Sequence, residues 1–244
     1  MTVSHDAYSE MTAEARGPSN PQTHSWTHTP SGTPKGVLLW VTAGTGQMTA
    51  ADNAITGATY GGVAMTKVAE VHLSGASEPG SCWLFELLAG IPTGAQTVAF
   101  TAQAFPTSST GIYPWLYGQA VTMASGGGSL SRADSDTINQ NSGANPSVTM
   151  DAGSNTGLSY LGGYSGKSNE ADLSAAASCT DTGGYDFTAS ATTARVVRQT
   201  TPATGTFAIG WTGGSDETAM AAATYYEASA TDKDPMGMSG FFGV

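Results

Sequence analysis

Leu87–Thr101, LLAGIPTGAQTVAFT, decides the fold. It reads as the end of an apolar strand, a Pro/Gly turn and a second apolar strand. Val196–Thr212, VVRQTTPATGTFAIGWT, repeats the order. There Phe207, Ile209 and Trp211 alternate with Ala208 and Gly210 after a Thr/Pro/Gly turn. Alternation of this kind, bounded by turn residues, is the signature of antiparallel hairpins. A chain that makes the same hairpin twice points to an internal repeat.

The repeat extends outward. GVLLWVTAG (36–44) is matched by GLSYLGGYS (157–165), CWLFELL (82–88) by ARVVRQ (194–199), and WLYGQAVTM (115–123) by TAMAAATYYE (218–227). Val37, Leu39 and Val41 share one strand face and Leu38 and Trp40 the other. A strand apolar on both faces is covered on both sides. ATYGGVAMTKV carries Gly61-Gly62, the pair that supplies positive φ to a two-residue turn. HSWTHT puts His24, Trp26 and His28 on one face, and NPSVTM (145–150) opens the second half. Ser125–Gly128, SGGG, reads as the one flexible joint. Residues 1–22 read as a flexible arm with no stable structure of its own, and the Ala/Leu cluster at Asn169–Ser178 as one short helix.

The expected fold is therefore all-β, a jelly-roll-like antiparallel sandwich over 23–227, built from halves at 23–124 and 129–227. One small sheet is marginal in water, so two facing sets sharing one core are favoured. The rival is two tandem sandwiches joined at SGGG.

Composition fits. Of 244 residues 32 are Gly and only 11% are charged, a poor supply for helix surfaces. Hydrophobic residues at 39% exclude a wholly disordered chain. A net charge of −11 with eight Lys plus Arg argues against nucleic acid as a partner, because counterion release needs cations. Apolar runs are strand-sized, so no membrane span is expected, and Met1–Arg16 does not read as a signal peptide. Cys82 and Cys179 are too few for a disulfide framework and read as buried thiols.

The quoted stretches, with HTPSGTPKGVLLWVTAG and GWTGGSDETAMAAATYYE, resemble a group of uncharacterised β-sandwich proteins. These are encoded in bacteriophage genomes and in marine and metagenomic sequence, often beside virion genes. The resemblance covers about residues 23–227. It implies a structural protein of a phage particle, a decoration or cement protein on the head exterior, assembled in the host cytoplasm. The major capsid protein or other virion subunits would be its partners, and a trimer its oligomer. The alternative is a tail or fibre module binding host-surface glycans.

No catalytic constellation is expected. GGYSGKS lacks the first glycine of a phosphate-binding loop, Leu161 standing in its place. His24 and His28 lack a third ligand at metal spacing and read as half-exposed strand residues. Glu70 and Glu86 could form a glycosidase pair, but the favoured reading has both facing solvent. No cofactor or metal is expected. Tyr113, Trp115 and Tyr117, with Tyr164 and Tyr185 in Gly-rich segments, are candidate glycan platforms; core packing is the competing reading. The tail, 228–244, carries Met236, Met238, Phe241, Phe242 and Val244 among glycines. Apolar groups of this size gain roughly 1.5–3 kcal/mol each on full burial, so the tail is expected to dock, on its own sandwich or on a neighbouring subunit.

Overall fold

The computed structural model describes residues 2–12, 15–16, 21–44, 54–73, 79–103, 114–140, 145–166, 173–187, 192–212 and 217–228. Among them every element is a strand. The first half contains β1 (Ser4–Glu10), β2 (Ala15–Arg16), β3 (Gln22–His28), β4 (Gly36–Gly44), β5 (Ile55–Tyr60), β6 (Val63–Ala64), β7 (Thr66–Leu73), β8 (Gly80–Leu87), β9 (Gln96–Ala102) and β10 (Trp115–Ala124). The second contains β11 (Leu130–Gln140), β12 (Ser147–Asp151), β13 (Gly157–Ser165), β14 (Ser174–Ala175), β15 (Cys179–Phe187), β16 (Thr192–Gln199), β17 (Thr206–Thr212) and β18 (Thr218–Glu227).

The large sheet of the first half has the order β1-β10-β4-β8-β7, with β2 attached to β10, and faces a sheet β3-β9-β5-β6. The second half has β11-β18-β13-β16-β15 facing β12-β17-β14. With the two-residue strands β2 and β6 set aside, the two orders are the same strand for strand. The first strand pairs with the last, the second with the seventh and the third with the sixth. This is the wrapped hairpin of a jelly roll. The fifth strand departs from it by pairing with the sixth, at the edge of the large sheet.

Each half is thus a sandwich by itself, and a single two-layer sandwich with one shared core is not what forms. The described residues form four layers and three apolar cores. Val37, Leu39, Val41, Trp83, Phe85 and Phe100 lie in the first half's own core. Met150, Leu161, Val197, Ile209 and Trp211 lie in the second's. Leu38, Trp40, Leu84, Val121, Leu158, Tyr160 and Tyr225 form the core between the two large sheets. The two-faced apolar character of GVLLWVTAG has this cause: its sheet is an inner layer.

The large sheets meet with like facing like. The edge strand β7 lies over β11, the first strand of the other half, and β4 lies over its own counterpart β13. Trp40 and Tyr160, both facing outward on those two strands, meet with ring centroids 6.2 Å apart. The ends of β4 and β13 also coincide, Gly44 lying against the Tyr164 ring. An approximate two-fold axis along the strands therefore relates the halves. The side chains on it are unequal. The Trp40 indole covers Gly162, where a Cβ would sit 2.9 Å from Nε1, and donates a hydrogen bond to the Ala221 carbonyl at 2.9 Å.

Three expectations are corrected. Over its described residues the expected 1–22 arm is not unstructured: β1 pairs with β10 over Ser4–Glu10, and Val3 is fully buried. Its polar sequence misleads because its inward groups are hydrogen-bonded instead of apolar. The helix at Asn169–Ser178 is replaced, over its described residues, by Leu173 in the core and by Ser174–Ala175 paired to β17. One buried leucine and an open strand edge outweigh alanine's helix preference. SGGG is a pinned turn and no free joint. The Glu227 carboxylate accepts from the amides of Gly126 and Gly128, and Ser125 Oγ donates to the Gly128 carbonyl at 2.8 Å. Gly61 and Gly62 adopt φ of 55° and 81°, as the expected turn requires.

Trp40→Ala removes the largest side chain of the central core and should cost about 3–5 kcal/mol. Urea unfolding of the variant should remain one transition, followed by both far-UV and tryptophan signals. Two separated transitions, with the second half at parental stability, would show that the halves fold independently.

Candidate functional site

Four groups of side chains could carry function, and each is built from the strand register. The first joins β1, β3 and β10. A bulge between His5 and Ala7 lets Asp6 and Ser9, an odd number of residues apart, both reach inward. Trp26 Nε1 donates to Ser9 Oγ at 3.0 Å, and Ser9 meets His28 Nδ1 at 2.7 Å. His28 Nε2 meets Thr122 Oγ1 at 3.1 Å, and Thr122 donates to Asp6 Oδ2 at 2.8 Å. A carboxylate only accepts, so the Thr122 hydroxyl is spent on Asp6 and its oxygen accepts from His28 Nε2. His28 donates from Nε2 and accepts at Nδ1, and its ring is neutral. Burial pushes its pKa down from 6.5 to about 4, against the pull of Asp6. A serine, a histidine and an acid in sequence suggest a relay, but His28 is fully buried. The chain locks the first strand to the sandwich. His28 is therefore not the half-exposed residue expected. His24 is half-buried, beside Phe100, and burial lowers its pKa.

The second group spans the halves. Glu86, which was expected to face solvent, is buried. It accepts from Arg132 Nε at 3.1 Å and from the Tyr225 hydroxyl at 2.8 Å. Both partners belong to the second half. Burial, and then the adjacent Glu86 charge, push the Tyr225 phenol well up. Glu70 belongs to the third group, with His72, Ser81 and Lys67. His72 Nε2 lies 2.7 Å from Glu70 Oε1, and Nδ1 lies 2.8 Å from Ser81 Oγ. Burial raises the Glu70 pKa, but hydrogen bonds from Lys67 and His72 outweigh this and hold it below the usual range. Ser81 is fully buried, so this serine cannot meet a substrate. Glu70 lies opposite Trp83, an inner-core residue, across β7 and β8. Glu86 points to the other half. The two carboxylates leave opposite faces of one sheet and share no cleft.

The expected glycan platform is mostly interior. Tyr117 and Tyr164 are fully buried. Tyr117 donates to the Met11 carbonyl at 2.8 Å, and Tyr164 covers Gly80. Tyr185 reaches across from β15 and stacks on Tyr117, with centroids 4.0 Å apart and rings inclined by 17°. Trp115 is half-buried against the first core. These aromatics close the seam between the halves, where the Gly-rich segments that carry them are strands. Tyr113 lies outside the described residues, as do Met236, Met238, Phe241, Phe242 and Val244. Cys82 is a buried free thiol and Cys179 a half-buried one.

The fourth group is a groove of about 740 Å³ on the second half, between the start of β15 and the β16–β17 turn. Ser178, Gln199, Thr200, Thr201 and Phe207 line it. Sequence reading passed over it because its residues are neutral and common. Its signal was Gln199, an amide at the end of a strand and two residues from the core Val197.

No protein family, curated protein or solved structure matches the chain. The all-β antiparallel sandwich is the class that the fold defines.

Because His28 is neutral when folded and charges more readily when unfolded, protonation favours the unfolded chain. Stability should be complete above about pH 6.5 and fall as pH drops toward 4. His28 ring signals in NMR should titrate near pH 4; titration near 6.5 would contradict the sealed network. Thr122→Val leaves His28 Nε2 and Asp6 without their shared partner, and should cost about 1–3 kcal/mol in urea unfolding.

Proposed function

We propose that this chain is a non-catalytic structural component of a bacteriophage particle, a decoration protein on the head exterior held by the major capsid protein or another virion subunit. The observation that carries the reading is the use made of its buried polar groups. Glu86, Arg132 and Tyr225 tie one half to the other, and Asp6, Ser9, His28 and Thr122 tie the first strand down. Chemistry-bearing residues are spent on making one stiff block. The outward face of the first small sheet supports the reading too. Thr23, Ser25, Thr27 and Thr97 point to solvent there, an uncharged surface on a chain of net charge −11. A stiff body with a neutral face suits lateral packing on a shell, and a trimer is the assembly proposed.

The test is mass spectrometry and cryo-electron microscopy of particles whose genome encodes the chain. The expected outcome is density for the four-layer body on the head exterior, grouped in threes. Density on tail fibres would favour the glycan-binding alternative, and absence from purified particles would overturn both.

A further inference from the structure

The groove on the second half has features that close packing alone does not explain. Gln199 is only 5% exposed, yet its side-chain Oε1 is buried with no hydrogen-bond partner. Leaving such an acceptor unmet is costly, because burial takes away its hydrogen bonds to water. The bulge in β15 falls opposite Val197 and Val196, as the bulge in β7 falls opposite Phe85 and Leu84. By this register Gln199 occupies the place of Leu87, a buried core residue. Where one half fills the position with a leucine side chain, the other keeps an unmet amide oxygen beside an open groove.

The surroundings are specific. Phe207 is rooted on the second core and half-exposed. Ser178 holds a left-handed backbone at φ 67°, which is uncommon for a residue with a side chain. The rim is braced by Thr200 N donating to the Ser178 carbonyl at 2.8 Å and by a Thr180–Thr200 hydroxyl contact of 2.8 Å. Among the described residues no Asp, Glu, Lys or Arg lines the groove, although the chain as a whole is strongly acidic.

We propose that this groove binds a neutral saccharide. A sugar ring offers an apolar face for Phe207, hydroxyl donors for Gln199 Oε1, and further hydroxyls for Ser178, Thr200 and Thr201. It carries no charge that would need an ion pair. An apolar ligand would leave Gln199 unmet, and an anion would enter an acidic protein with no cation to receive it. The inference does not depend on the particle role, since a decoration protein and a fibre module could both present such a site.

The experiment is a ¹H–¹⁵N NMR titration of the full chain with three probes: maltotriose, N,N′-diacetylchitobiose and 3′-sialyllactose. The expected result is saturable shifts of the Gln199 side-chain amide and the Thr200 and Thr201 backbone amides with at least one neutral probe. Gln199→Leu removes the acceptor and should retain the fold, since it also removes an unmet polar group. It is expected to weaken binding about tenfold, as loss of one hydrogen bond would. Thr201→Trp, at an exposed rim position, should block the groove. Two results would overturn the proposal: no saturable shift with either neutral probe, or binding that both variants leave unchanged. Tighter binding of the sialylated probe than of both neutral ones would overturn the neutral class.

Discussion

The rest of the molecule depends on the contact between its two large sheets. A five-stranded sheet with one covered face could have carried polar residues on the other. Here both faces of β4 and β8 are apolar, so neither sandwich is complete until the second has packed against it. Trp40 on Gly162, Tyr164 on Gly80 and the Tyr225–Glu86–Arg132 clamp then fix the register between halves. The clamp does this at some cost, because a buried charge is tolerated only while its partners stay in place.

Much of this was legible in the sequence. Alternation located the central strands, Gly61-Gly62 specified its turn, and the order of apolar runs showed the repeat. Layering was not legible. Two apolar faces on a strand say that it is covered twice, but not whether its own half or the other supplies the second cover. The first strand was lost for a different reason. Ser4–Glu10 has no apolar period because His5, Asp6, Tyr8 and Ser9 are satisfied by hydrogen bonds to residues far along the chain, and no local pattern reports such partners.

The candidate sites show the same limit. A serine, a histidine and a carboxylate come together twice, around His28 and around His72, and neither set was foreseen because its members are scattered along the sequence. Burial decides their meaning: His28 and Ser81 are both fully buried, and both sets brace strands. Gln199 reverses the case. Its type and place looked ordinary, and only the register with Leu87 and the unmet oxygen mark it.

The approximate two-fold axis has a consequence for how such a chain can change. A surface that meets its own counterpart is what a homodimer uses, and in a homodimer every substitution appears on both sides of the axis at once. A tryptophan there would face a tryptophan. Once the two copies are one polypeptide, joined through the turn at Gly126–Gly128, each side can vary alone. An indole can then be set against a glycine, and a leucine in one half can become a glutamine in the other. Covalent linkage also keeps the partner permanently at hand, so the second copy is released from having to recruit the first. Its surface is free to specialise while the shared seam holds the pair together.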